Sequence, residues 1–254
     1  YASLCCNSSG SNNVAIGNKA LTVNTTGGCL TAVGHLALQA NTTGVCNTAV
    51  GVQSLYANTT GACNTAFGKN ALVANTTASN NTAVGYQAGK AITTGYQNTA
   101  LGQNALDSTT TANHNTAIGA TTLQANTTGY ANTAVGYNAL CTHTTGNSNT
   151  AVGDNAMRLT TTGTFNVAVG DNALCSNTTA SSNVAIGRDA LFANTTGTQN
   201  VAVGALAMDA NTTGSYSLAI GNSALSAQTT GENNVAVGRL AGTALTTGCQ
   251  NTFI

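Results

Sequence analysis

The chain has 254 residues, of which only 5% are charged, and six basic side chains balance six acidic ones. A net charge of zero leaves no electrostatic footprint for nucleic acid or an anionic membrane. No run of 18 apolar residues offers a membrane-spanning helix. Solubility must come from Asn, Thr, Ser and backbone groups, a composition common in fibres.

From the N-terminus, glycine recurs at every seventeenth residue, from Gly17, Gly34, Gly51 and Gly68 to Gly238, fourteen times without a slip. Around each stands roughly the same phrase, N-T-A-V-G-x-x-A-L-x-A-N-T-T-G-x-x. Strict self-similarity at a short period predicts a solenoid in which each repeat stacks on the last. Seventeen residues are too few for a helix pair, and Asn, Thr, Gly and Val are poor helix formers. Apolar segments of four or five residues between Gly and Asn turns predict short strands. The expected fold is all-β, a parallel β-solenoid (β-roll) of about fifteen coils, one per repeat. Coils about 4.8 Å apart would make a rod of roughly 70 Å. Proline is absent, as a continuous backbone ladder requires. No linker or composition shift interrupts residues 1–254, so a single solenoid domain is expected. The repeat still runs at Tyr1 and Ile254, which reads as a segment of a longer fibre protein.

With the glycine at position 17, position 16 is always a larger apolar residue: Ile16, Val33, Val50, Phe67 and Val84 in the first five coils. Position 4 is Leu or Met, as in Leu21, Leu38, Leu55 and Leu72. These two columns are the expected core. Further along, Gly89 and Gly242 replace the position-4 residue, and in the same coils position 7 changes from its usual Asn to Ile92 and Leu245. The apolar group reappears three residues later, so positions 4 and 7 are expected to share interior space. The usual Asn at position 7 (Asn24, Asn41, Asn58, Asn75, Asn126) would then point inward and form an amide ladder.

Position 15 is Ala in fourteen repeats and Phe253 in the last. Alternation along a strand puts positions 15 and 16 on opposite faces. If position 16 is core, the Ala column Ala15, Ala32, Ala49, Ala66, Ala83, Ala100 and Ala117 faces a neighbour that tolerates only a methyl group. That makes it the expected contact with other copies, in a parallel homo-oligomer.

The stretches NNVAIGNKAL (Asn12–Leu21), SNVAIGRDAL (Ser182–Leu191) and NNVAVGRLAG (Asn233–Gly242) resemble the head repeats of YadA-type trimeric autotransporter adhesins. The whole chain resembles NTAVG…NTTG arrays of bacterial and phage tail-fibre-like proteins. The resemblance implies left-handed coils wound as a homotrimer, and an extracellular place on a cell surface, a secreted fibre or a virion.

Residues able to carry chemistry are scattered. His35, His114 and His143 fall at positions 1, 12 and 7 and read as surface substitutions. Asp154 and Asp171 share position 1 on adjacent coils, with Arg188 next, which reads as an exposed charge column of little energetic weight. No phosphate loop, nucleophile elbow or C-x-x-C spacing occurs, so no cofactor, metal or catalytic residue is assigned. Cys29, Cys46 and Cys63 share position 12 on successive coils. Coil spacing lies within the Cα range of a disulfide, so a bridge within or between chains is one reading, and cysteine as a small filler is the other. Nine N-x-[S/T] sequons begin at position 7, but Thr-Thr persists at Thr93, Thr110 and Thr144 where the Asn is lost. That favours turn chemistry over glycosylation.

The function expected is a structural or adhesive extracellular fibre segment, a surface adhesin or tail-fibre-like shaft without catalysis. Its partners would be copies of itself and a host-surface receptor or glycan. The alternative is an ice-binding solenoid presenting Thr-Thr ladders. An enzyme carried on a solenoid would need the long loops or clustered acids that this chain lacks.

Overall fold

The computed structural model describes residues 2–254, which fall into two compact units divided after Tyr130. The first holds seven strands: β1 (Val14–Ile16), β2 (Thr31–Val33), β3 (Thr48–Val50), β4 (Thr65–Phe67), β5 (Thr82–Val84), β6 (Thr99–Leu101) and β7 (Thr116–Ile118). The second holds eight: β8 (Thr133–Val135), β9 (Thr150–Val152), β10 (Val167–Val169), β11 (Val184–Ile186), β12 (Val201–Val203), β13 (Leu218–Ile220), β14 (Val235–Val237) and β15 (Thr252–Phe253). Within each unit every strand pairs in parallel with the next in the chain, seventeen residues on. Thus Ala15 lies beside Ala32 and Ala32 beside Ala49 in the first, and Ala134 beside Ala151 in the second. The fold is an all-β parallel solenoid without helix among the described residues. Fifteen strands delimit about fourteen coils, one fewer than the repeat count predicts, because the last repeat ends at its strand.

The three strand residues alternate out, in, out, and the residue that turns inward is the alanine. Ala32, Ala49, Ala66, Ala83 and Ala117 have no exposed surface, Ala100 almost none, and Ala15, in the first coil, is half-buried. The expected oligomer contact is therefore the inside of the coil. Conversely, the position-16 residues expected in the core face outward. Ile16 is 60% exposed and Phe67 56%, while Val33, Val50 and Val84 are half-exposed.

The reason for this reversal is the width of the coil. The inward position-4 residue (Leu21, Leu38, Leu55, Leu72, each fully buried) crosses the interior toward the strand. A Cβ built on Gly89, at position 4, would sit 3.8 Å from the Cβ of Ala83. That is ordinary van der Waals contact, so a larger strand residue there would overlap the leucine. The final coil shows the converse exchange. Its inward strand residue is Phe253, and a Cβ on Gly242 would lie 2.8 Å from the Phe253 ring. Leu245 is half-buried in that last coil. Ile92 is buried, and its Cδ1 lies 3.1 Å from where a Gly89 Cβ would stand, so positions 4 and 7 do share space.

Corners are made by left-handed residues at fixed places. Positions 2, 4 and 12 take φ near +50° to +60°, as at Lys19, Leu21 and Cys29. A non-glycine residue in this region costs about 1–2 kcal/mol, and burial of the leucine offsets that cost at position 4. Position 17 is more restrictive. Gly17 has φ +124°, and a Cβ there would stand 2.6 Å from the carbonyl oxygen of Gly34 on the next coil. Backbone cannot yield, so only glycine fits.

Two asparagine columns join the coils inside. At position 7 the asparagine Nδ2 donates to the carbonyl three residues on and to the side chain one coil back, an Oδ1 where that residue is asparagine and a hydroxyl where it is threonine, as from Asn126 to Thr109 and Asn177 to Thr160. Asn41 reaches Asn24 Oδ1 at 2.8 Å and Gly44 O at 3.0 Å. At position 13 the asparagine Oδ1 accepts the backbone N–H of the same position one coil on, as from Asn64 N to Asn47 at 2.8 Å and from Leu30 N to Asn13 at 3.0 Å. Between Asn24 and Asn234 these asparagines are buried, so their pairing is obligatory. The N-T-T-G turn closes on one acceptor. Thr42 O receives Thr25 N, Thr26 N, Gly27 N and the Thr25 hydroxyl, at 3.0 to 3.3 Å.

Candidate functional site

The outer face of the strands is the most regular surface of each unit. Ladder pairing and the paired asparagines hold every coil in one register, so positions 14 and 16 form two parallel columns along that face. In the first unit β2 to β7 offer Thr at position 14 and Val, Phe, Leu or Ile at position 16. In the second, β10 to β14 are apolar at both positions. Phe67 and Leu101 are among the exposed large apolar side chains of the first column, and Ile186, Ile220 and Val237 of the second. Among the described residues no concave pocket interrupts the surface, so what this face offers is rows of side chains at coil spacing. Sequence reasoning placed position 16 inside and missed the face. The available signal was volume, because a column restricted to alanine suits the narrower side of a strand.

The threonine pair at positions 8 and 9 divides its roles. Position 8 is half-buried, with its hydroxyl donated to the next coil, as from Thr59 to Thr76 O at 3.1 Å. Position 9 (Thr26, Thr43, Thr60) is exposed. The Thr-Thr motif therefore presents a single file of exposed hydroxyls.

The titratable residues lie apart from this face. His35 and His114 are exposed, and the His114 ring meets Tyr96 edge-on at 5.3 Å. His143 is not a surface substitution. It replaces Asn at position 7 and is fully buried, with Nε2 2.7 Å from Gly146 O and no partner on Nδ1. Burial pushes its pKa below the usual histidine value, and the contact with the Gly146 carbonyl opposes the shift. Asp154, Asp171 and Arg188 are exposed, and Arg188 pairs with Asp189 at 3.6 Å. Among the described residues no three His, Cys, Asp or Glu side chains are grouped to hold a metal ion.

The position-12 cysteines Cys29, Cys46 and Cys63 are free and exposed on three successive corners. Partial desolvation and then the two flanking thiols raise the pKa of Cys46. Cys175 is buried and Cys141 half-buried. No protein-family model matches the chain, and no curated protein is similar to it.

Proposed function

We propose that the chain is a non-catalytic shaft segment of an extracellular structural or adhesive fibre, on a cell, virion or secreted filament. Its working unit is a parallel homo-oligomer, a trimer as in the adhesin heads its repeats resemble. One observation carries the reading: on the outer strand face of each unit every position-16 side chain is apolar and exposed or half-exposed, from Ile16 to Ile118 in the first and from Val135 to Val237 in the second. Contiguous apolar surface of this kind marks an interaction site. A partner laid along it must repeat at the coil spacing of about 4.8 Å, and a second copy of the chain does so by construction. With 5% of residues charged, little repulsion opposes that contact. The variable corner residues are left free for a host-surface receptor or glycan. Electron microscopy of the negatively stained full chain tests the reading. Shafts several chains thick support it, and isolated single-chain particles contradict it.

A second reading rests on the same face. In β2 to β7, threonine at position 14 and an apolar residue at position 16 alternate on one face, an arrangement suited to ordering water on an ice plane. Thermal hysteresis at micromolar protein favours this reading over the fibre, and its absence removes it.

A further inference from the structure

We propose that Cys29, Cys46 and Cys63 form a disulfide site in which Cys46 is a member of every bridge and one outer thiol always stays free. Each thiol sits at an exposed corner, and the backbone fixes the stacking. Cys46 N donates to Gly28 O and Cys63 N to Val45 O, both at 3.0 Å. Each cysteine therefore lies over the last at one coil spacing, about 4.8 Å between Cα atoms, inside the disulfide range of roughly 4.4–6.8 Å. Cys29 and Cys63 are two coils apart, about 9.6 Å, and cannot bond. The Cβ atoms must close by a few tenths of an ångström, which an exposed corner allows more readily than a packed strand.

All three hold φ of +57° to +58°, a conformation that position 12 also imposes on Asn80, Gln97, His114, Ala131, Phe165 and Tyr216. The corner thus accepts many residue types, and what sets these three coils apart is cysteine at that corner three times in succession. Both flanking thiols also reach Cys46 closely enough to act on its ionisation.

The oxidant is a small-molecule disulfide of the glutathione class. The thiolate of an outer cysteine attacks it, forming a mixed disulfide and releasing one thiol. The Cys46 thiolate then attacks the outer cysteine's sulfur, closing the protein bridge and releasing the second small thiol. Two protein thiols lose two electrons and two protons, and one small disulfide becomes two thiols. The remaining outer thiolate can attack Cys46 in turn, so the bridge moves one coil without further oxidant.

Tryptic cleavage isolates the site, because Lys19 and Lys69 bound a peptide, residues 20–69, that contains these three cysteines and no others. The folded full chain is equilibrated with oxidised glutathione, alkylated with iodoacetamide in denaturant, and digested. The expected peptide carries one internal bridge and one remaining thiol, alkylated or capped by glutathione. Cys29→Ser and Cys63→Ser should each give a bridged peptide with no free thiol, and Cys46→Ser an unbridged peptide whose two thiols are each alkylated or held as a mixed disulfide with glutathione. Circular dichroism on the oxidised proteins establishes that each variant stays folded. Three alkyl groups on the unmutated peptide, a bridge in folded Cys46→Ser, or a peptide joined to a second copy of itself overturns the proposal.

Discussion

The side-chain amide of Asn75 donates to Oδ1 of Asn58 on the preceding coil at 2.7 Å, while the Oδ1 of Asn75 itself has no donor. The next coil carries Ile92 at that position, so the ladder that begins at Asn7 stops there. The two residues share a sequence environment and differ in what they hold together. Asn58→Leu removes two donated bonds and the acceptor of Asn75, whose amide keeps only its 3.2 Å bond to Ala78 O, and should cost about 3 kcal/mol. Asn75→Leu takes no acceptor from the coil above, since Asn75 Oδ1 accepts nothing there, and should cost less. Urea denaturation of both variants checks the order.

Gly89 is small because Ile92 fills its space. A Cβ there would stand 2.9 Å from Leu72 Cδ2 and 3.1 Å from Ile92 Cδ1. Gly89→Leu alone should destabilise the chain by about 1–3 kcal/mol through overpacking. Gly89→Leu with Ile92→Asn recreates the common repeat and supplies Asn75 Oδ1 with a donor. The double variant should recover most of the loss in thermal melts, and a double variant as damaged as the single would refute the shared-space account.

His143 gives the stability a pH dependence. Its folded pKa lies below the unfolded value of 6.5. Above pH 6.5 the ring is neutral in both states and has no effect. As pH falls through 6.5 the unfolded chain takes up a proton that the folded chain resists. Stability is therefore lost toward acid, by up to about 1.4 kcal/mol per pH unit. His143→Asn should remove this component, so denaturant midpoints of the two proteins, compared from pH 7.5 to 5, should diverge only on the acid side.

Ala117 is inside its coil, fully buried on β7. Ala117→Glu should therefore place an unpaired charge in the interior and cost more than about 3 kcal/mol. Its neighbour Leu101→Lys, on the outer face of β6, should leave the fold of the separated chain within about 0.5 kcal/mol. Circular dichroism melts distinguish the two.

The period, the parallel stack, the position-4 core and the inward asparagine at position 7 were all legible, because each rests on residues that only one environment tolerates. Gly17 and its equivalents, the Leu column and the Ile92 exchange are of that kind. The facing of the strand was not. Alternation states that Ala32 and Val33 point opposite ways but not which points inward, and hydrophobicity alone chooses the larger residue. The coil is so narrow that a leucine from position 4 leaves room for only a methyl group across from it. The ladder at position 13, from Asn47 to Asn64 and on, was hidden for a related reason. An asparagine beside a strand reads as a turn residue until its buried partners are known. His143 was misjudged because one histidine among many asparagines shows its burial only through the column it joins.

Light scattering from the unmutated full chain, beside a variant carrying Phe67→Lys and Leu101→Lys, tests the proposed assembly most directly. The account predicts a mass that is a whole multiple of 25.0 kDa, three-fold for the trimer, and a fall toward the single chain in the variant with its β-sheet spectrum intact. A stable, monodisperse 25.0 kDa particle from the unmutated chain would contradict it.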